Sequence, residues 1–310
     1  MKIGVEKSTK IKEKSGQLKI SYSLALRYLA LEEVLKRIYT SEYRENLYLI
    51  NPLVVNVESN TVGESLNFYY IKNKKKAIYG RDNPKKELCI QDLEFDFSKK
   101  MLIKIMKNDK DSPIKWNAEF FYQEDDVQWN LEAVYEQMKI PITLHIRQIS
   151  TMNLKKEYMS YKFYFLDVDA IGSKKDIDIL IYPRERLAID EMFEILGKLE
   201  LIDSMNAYYT LNEILKKQSL SGMHLMEYAK SISNEKTKKI QYVEKLKEYK
   251  NYSYMRKRWD KFLHNKKIES DSWEVVMDRI VSFIDPIWNA YCKNSVFVKD
   301  WMPGLNRFLG

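Results

Sequence analysis

The chain has 310 residues, of which 45% are hydrophobic and 31% are charged, a balance that is typical of globular proteins and excludes an intrinsically disordered chain. Two cysteines and three histidines exclude a disulfide framework and argue against a metal centre built from cysteine or histidine. No apolar run approaches the roughly 20 residues that a membrane-spanning helix needs. The net charge of +8 would suit RNA, DNA or an acidic protein, although solvated lysines account for it equally well.

The first part of the chain changes from a helical to a β pattern. Residues 1–16 are basic and lack the apolar core of a signal peptide, so we predict a flexible basic arm and expect the protein in the cytoplasm. Apolar residues at helical spacing predict a long helix from Ser21 to about Thr40. The apolar run 48–57 predicts a strand that Asn51-Pro52 must interrupt, because proline cannot donate to a strand ladder.

Residues 90–97, IQDLEFDF, alternate carboxylates with apolar side chains. On a strand, Asp92, Glu94 and Asp96 would share one face, and the apolar residues between them would be buried on the other. Carboxylates one residue apart on a strand can share a hard divalent cation, so one interpretation is half of a metal site for phosphoryl chemistry. The other interpretation, which this stretch alone favours, is an amphipathic strand with a solvated acidic face.

The β-rich pattern continues to Tyr182-Pro183 and then gives way to helices. Strands are predicted at residues 117–123, 127–135, 140–147, 162–166 and 177–181. Helices are predicted at residues 184–199, 205–217, 222–232, 236–248, 253–265 and from 271 onwards. We therefore predict an α+β protein with two domains, a sheet domain over residues 1–182 and a helical bundle over residues 183–310.

Four segments, in order and with few gaps, together resemble one family. They are LALRYLALEEVLKRIYTSEYRENLYL (24–49), VQWNLEAVYEQMKIPITLHIR (127–147), YPRERLAIDEMFEILGKLELIDSMNAYYTLNEIL (182–215) and KLKEYKNYSYMRKRWDKFLHNKKIESDSWEVVMDRIVSFIDPIW (245–288). They resemble the AbiEii-like nucleotidyltransferases, toxins of type IV toxin–antitoxin and abortive-infection systems. The resemblance covers nearly the whole chain.

This resemblance implies a DNA-polymerase-β-like nucleotidyltransferase core followed by a helical domain. It also implies Mg²⁺-assisted transfer of a nucleotide from an NTP to an acceptor such as tRNA, and an antitoxin or other partner protein. Such chemistry needs carboxylates that hold the cations, a small-residue turn whose N–H groups approach phosphate, and basic groups that offset the developing negative charge.

Several positions that carry this chemistry in the family are replaced here. The phosphate-contacting turn, a possible NTP site, falls on Asn51 and Pro52, and proline adds a ring and removes a donor where close backbone approach is needed. The paired carboxylates that would hold Mg²⁺ fall on Asp92 and Glu94 and are retained. The third carboxylate falls on His145, which can ligate a metal only when neutral and adds no negative charge.

The helical domain shows the same selective loss. The resemblance places the family's catalytic lysine on Glu191, and its RMRDFYD stretch on residues 204–210, where the charged members are absent. Positions that match the family pattern are, by contrast, of the kind that build a scaffold: Tyr182, Pro183, Glu185, Arg186, Met205, Tyr208, Tyr209 and Trp259. We interpret the chain as a nucleotidyltransferase fold with a degenerate catalytic centre.

Three functions remain open from the sequence. The favoured one is a non-catalytic protein of a phage-defence or toxin–antitoxin system that binds RNA, tRNA or a partner protein. The second is an active Mg²⁺-dependent nucleotidyltransferase, and the third is a structural subunit of a larger assembly. In an active enzyme, the missing ligand and positive charge would come from a set of substitutes: Asp96, Glu119 or Glu132 for the ligand, and Lys104 or Arg147 for the charge.

Overall fold

A computed structural model describes most of the chain. The described residues are 2–50, 65–71, 94–107, 112, 114–123, 126–149, 154–166, 176–232, 242–266 and 268–310. The chain divides into two compact units, Met1–Tyr182 and Pro183–Gly310. Within these described ranges, no helix combines the length and the apolar character that crossing a membrane requires.

The first unit contains three helices and seven strands among the described residues. In chain order they are α1 (Lys2–Gln17), α2 (Tyr22–Thr40), β1 (Leu47–Leu49), β2 (Ser65–Ile71), α3 (Phe95–Ile105), β3 (Ile114–Gln123), β4 (Asp126–Tyr135), β5 (Met138–Ile149), β6 (Glu157–Lys162) and β7 (Asp176–Ile181). The strands form one mixed sheet in the order β3-β4-β5-β2-β1-β7-β6. The pairs β2–β5 and β1–β7 are parallel, and the other neighbours are antiparallel.

The second unit is helical and ends in a small hairpin. Its elements are α4 (Arg184–Lys198), α5 (Asn206–Lys217), α6 (Gly222–Ile232), α7 (Tyr242–Glu248), α8 (Ser253–Lys266), α9 (Trp273–Cys292), β8 (Asp300–Met302) and β9 (Arg307–Leu309). The predicted order of a mixed α/β sheet unit followed by helices is therefore confirmed.

Binary patterning explains both kinds of element. Along β4, Val127, Trp129 and Leu131 are buried while the residues between them are more exposed, as one covered sheet face requires. Ser21 is the N-cap of α2, and its hydroxyl oxygen accepts the Leu24 N–H at 3.2 Å, the usual way to satisfy a free N–H at a helix start.

The basic arm predicted at residues 1–16 is wrong as a flexible segment, because the structure places α1 there. Ile11 is buried, and the Ser8 hydroxyl lies 2.9 Å from the Tyr135 hydroxyl and donates to Glu136 at 2.7 Å. These contacts with the β4–β5 turn come from residues far along the chain, so the local charge pattern did not reveal them.

The strand predicted at residues 90–97 is also wrong over its described part, because α3 begins at Phe95 with Glu94 at its N-cap. Four buried residues define the helical face: Ser98, Met101, Leu102 and Ile105. Their spacing is that of a helix, and Asp96 lies in the first turn, where the helix dipole favours a negative charge. The alternation up to Phe97 was too short to distinguish the two periods.

The strand predicted at residues 162–166 is displaced, because β6 ends at Lys162. The backbone N–H groups that follow donate hydrogen bonds to a side chain and not to a neighbouring strand. The Glu32 carboxylate on α2 accepts the N–H groups of Tyr164, Phe165 and Leu166 at 2.7, 2.8 and 2.9 Å. A buried acid on a distant helix therefore ends the strand.

Tryptophans organise the core of the second unit. Trp259, Trp273 and Trp301 are fully buried, and each indole N–H donates to a backbone carbonyl at 2.9–3.0 Å. Buried indoles need such a partner. The C-terminal hairpin approaches Gly222 so closely that a Cβ there would lie 2.0 Å from the Lys299 carbonyl oxygen, which explains the glycine at that position.

Candidate functional site

Only part of the site proposed from the resemblance lies within the described residues. Asn51, Pro52 and Asp92 lie outside them. Glu94 is exposed at the N-cap of α3, and His145 is exposed on β5. The two described positions thus belong to different elements, Glu94 to a helix N-cap and His145 to a strand.

His145 lies among uncharged cross-strand neighbours. Asn67 on β2 and Gln128 on β4 are its register partners. Neither supplies the negative charge that a divalent cation needs from its ligands. These two register partners therefore add no anionic ligand to the third-ligand position.

Most of the charged residues considered as substitutes hold surface ion pairs. The pairs are Lys104 with Glu42, Arg147 with Asp126, and Glu132 with Lys139. Asp96 lies in the first turn of α3, and Glu119 is exposed on β3 opposite Asn130. The three ion-paired side chains have structural partners of their own.

A pocket of about 620 Å³ opens at the other end of the sheet. It is lined by the end of α2, the turn after it, and strands β6 and β7, with the residues Tyr39, Thr40, Arg44, Glu45, Tyr158, Asp176, Ile177 and Asp178. Its volume falls in the range of small-molecule sites. This pocket is the candidate functional site of the first unit.

Asp176 and Asp178 give the pocket its acidic character. They are exposed at the start of β7, and because they are two residues apart on a strand they share one face. Their register partners on β6 are Lys162 and Ser160. Among the described residues, neither aspartate is joined to a basic side chain in an ion pair.

Glu45 is the third acid of the pocket, but its charge is balanced. Its carboxylate accepts hydrogen bonds from the Lys156 ammonium at 2.5 Å and the Tyr158 hydroxyl at 2.9 Å, and Arg44 lies 3.4 Å away. The hydrogen bond from Lys156 is the main cause that holds the pKa of Glu45 below its ordinary value. Burial and the neighbouring Glu45 raise the pKa of Tyr158, so its hydroxyl stays protonated and donates.

Tyr39 forms the floor of the pocket. Its hydroxyl lies 3.1 Å from the Leu47 carbonyl oxygen and 3.0 Å from that of Leu180, and it therefore joins β1 to β7. Burial raises the pKa of Tyr39. The parallel junction beneath the two aspartates is thus fixed by a neutral hydrogen bond.

Sequence reasoning missed this pocket, although a signal was present. Residues 177–181 were predicted as a strand, and the Asp176-Ile177-Asp178 alternation begins that strand. It has the same pattern of paired carboxylates that drew attention to residues 92–96. Arg44 and Glu45 could not be assigned, because only the folded sheet brings the turn after α2 next to β7.

The ligand types at the pocket fit a hard cation only in part. Carboxylate oxygens such as those of Asp176 and Asp178 are what Mg²⁺ prefers, with water and phosphate oxygens supplying the remainder. Among the residues that the structure describes, no group of three histidine, cysteine or acidic side chains could hold a metal ion.

Comparisons with known proteins give only distant similarity. No protein-family model matches the sequence, and a search of curated proteins found no match. Among solved structures, protein JHP933 of Helicobacter pylori is 10% identical, with 85% of this chain and 91% of that chain covered and a TM-score of 0.39. A candidate nucleotidyltransferase of H. pylori is also 10% identical, with 89% and 100% covered and a TM-score of 0.41. Similarity at this level does not define a fold family.

Proposed function

We propose that this chain is a nucleotidyltransferase-fold protein of the AbiEii-like kind, that it works in a phage-defence or toxin–antitoxin system, and that it acts by binding a nucleic acid or a partner protein. Its inherited catalytic centre at Asp92, Glu94 and His145 is degenerate. The sequence resemblance is the starting point of this proposal. The observation that carries it is the contrast between the retained and the replaced positions.

Several of the retained positions are core residues. Tyr182, Met205, Tyr208 and Trp259, all of which match the family pattern, have 2%, 3%, 0% and 0% of their surface exposed. Core positions are restricted by packing whatever the activity. Their retention therefore supports inheritance of a scaffold and says nothing in favour of catalysis.

The replaced positions lack the charge that the chemistry needs. Glu191 occupies the position that the resemblance gives to a catalytic lysine. Burial, with smaller effects from Asp190 and Glu194, raises the pKa of Glu191 to about 8. A group that is neutral or negative near pH 7 cannot offset the charge of a transferring phosphoryl group. This loss, together with His145, favours binding over transfer.

The second candidate function is Mg²⁺-dependent transfer of an NMP from an NTP to RNA, tRNA or a protein. One observation favours it: Asp176 and Asp178 face the same pocket as Arg44. In that case the active carboxylates would be those of β7, and the resemblance-based assignment to Asp92 and Glu94 would be wrong.

Phage plating separates these functions. Cells would express the wild-type chain, Asp92→Asn/Glu94→Gln, or Asp176→Asn/Asp178→Asn, with immunoblotting to match protein amounts. We expect the wild type to reduce plaque formation and both double variants to reduce it equally. Loss of protection in either variant at equal protein level would refute the non-catalytic proposal, and no protection by the wild type would refute the role in defence.

A further inference from the structure

Helix α8 presents an unusually basic surface. Only Met255 and Trp259 of its residues are buried, so the helix docks along one narrow side. Tyr254, Lys257 and Lys261 lie on the opposite face, at helical spacing and exposed to solvent. His264 extends the same face by one turn. We call these four residues the α8 face.

The lysines of the α8 face have no acidic partner in the part of the second unit that the structure describes. Lys257 and Lys261 form no ion pair with any described residue. Arg258 beside them donates to two backbone carbonyls, those of Glu200 and Ile202, and therefore keeps its full positive charge. The carboxylate of Asp260 stands at the edge of the face, so its net charge is positive.

Aromatic rings accompany this charge. Tyr254 is 61% exposed and Tyr252, just before the helix, is 43% exposed. The Arg258 guanidinium lies 5.6 Å from the Tyr254 ring centroid, which holds cation and ring side by side. Exposed rings next to unpaired cations are the combination that binds single-stranded nucleic acid, because bases stack on the rings while phosphates meet the cations.

We propose that the α8 face binds a single-stranded polynucleotide. Lys257 and Lys261 are one helical turn apart, about 6 Å along the axis, so they contact neighbouring phosphates of one strand while Tyr254 stacks on a base. An acidic protein would satisfy the lysines but would give the exposed tyrosine no base to stack on. This inference rests on the proposed function, since it names the partner that a binding protein would take.

The test is fluorescence anisotropy with labelled oligouridylate and oligothymidylate over a series of salt concentrations. We expect the wild type to bind at least one of the two oligonucleotides. Binding to RNA alone, to DNA alone or to both would show which sugar the α8 face prefers. Lys257→Glu/Lys261→Glu should weaken binding at least tenfold and reduce the slope of log K against log salt by about 1.4, about 0.7 for each phosphate contact. Tyr254→Ala should weaken binding without changing that slope.

A matched control has the same change in net charge. Lys36→Glu/Lys100→Glu alters exposed lysines of α2 and α3 and should bind like the wild type, and thermal melting would show that all variants are folded. The inference is overturned if the wild type binds neither oligonucleotide, if the control loses as much affinity as the α8 variant, or if polyglutamate competes as well as oligouridylate. These outcomes leave the plating result untouched, so failure here is distinct from failure of the proposed function.

Discussion

Replacement of Glu32 by alanine is expected to destabilise the first unit strongly. The carboxylate is fully buried and accepts three backbone N–H groups, those of Tyr164, Phe165 and Leu166, and the Tyr161 hydroxyl at 3.2 Å. Each buried donor without an acceptor costs about 1–3 kcal/mol. We expect a total loss of about 3–5 kcal/mol, the range for removing one partner from a buried polar network.

Titration of Glu32 also makes the stability of the first unit depend on pH, and the direction of that dependence follows from its pKa. Burial raises the pKa of Glu32 from 4.5 to about 7, although the three N–H groups and Tyr161 oppose the rise. Because the pKa is higher in the folded protein, its contribution to stability is full below about pH 4.5 and is lost as the pH rises through 7. At about 1.4 kcal/mol per pH unit, the loss is on the order of 3 kcal/mol.

Urea unfolding from pH 4.5 to 8 would measure both effects. Glu32→Ala should lower the free energy of unfolding by about 3–5 kcal/mol, or the melting temperature by about 10 °C. Glu32→Gln removes the titration and should flatten the pH dependence of stability, and Glu119→Gln on exposed β3 is the matched control. The reasoning is refuted if Glu32→Ala costs less than about 1 kcal/mol, the range of an ordinary surface substitution, or if Glu32→Gln keeps the wild-type pH profile.

Further predictions concern the second unit. Burial and the carboxylates of Asp190 and Glu194 raise the pKa of Glu191 to about 8, so Glu191 adds its own loss of stability to that of Glu32 as the pH rises from 4.5 through 8. Glu191→Gln should remove this part of the fall and stabilise by about 1 kcal/mol above pH 8, and an unchanged urea midpoint there would contradict this. Gly222→Ala places a Cβ 2.0 Å from a backbone carbonyl oxygen and should cost about 2 kcal/mol or more. Gly197→Ala, in open space within α4, should stabilise by about 1 kcal/mol, and equal melting shifts for the two glycine variants would refute this argument.

Local apolar periodicity in the sequence was enough to predict many of the helices and strands. The helices α2, α4, α5, α6 and α8 and the strands β3, β4, β5 and β7 follow their apolar patterns over a full element. The predictions failed where contacts with residues distant in the chain determine the local structure. The strand predicted at 162–166 was displaced because Glu32 takes its N–H groups, and the arm at 1–16 is helical and packs through Ile11 and Ser8.

The candidate site was harder to predict from the sequence than the helices and strands. Its paired carboxylates, Asp176 and Asp178, are visible in the sequence, but their neighbours Arg44 and Glu45 come from a turn more than a hundred residues earlier. That proximity depends on the parallel pairing of β1 with β7, and parallel pairings join segments that are far apart in the chain. The assignment of Asp92 and Glu94 stays a prediction, since Asp92 lies outside the described residues.

Transfer of label from NTPs tests the central claim most directly. Purified wild-type chain would be incubated with each NTP labelled at the α-phosphate, with Mg²⁺ or Mn²⁺ and bulk tRNA, beside Asp92→Ala/Glu94→Ala and Asp176→Asn/Asp178→Asn. We predict that no label enters RNA or protein above the level of the two variants. Incorporation by the wild type that either double variant abolishes would contradict the claim that this protein binds without catalysing, and would show which carboxylate pair is active.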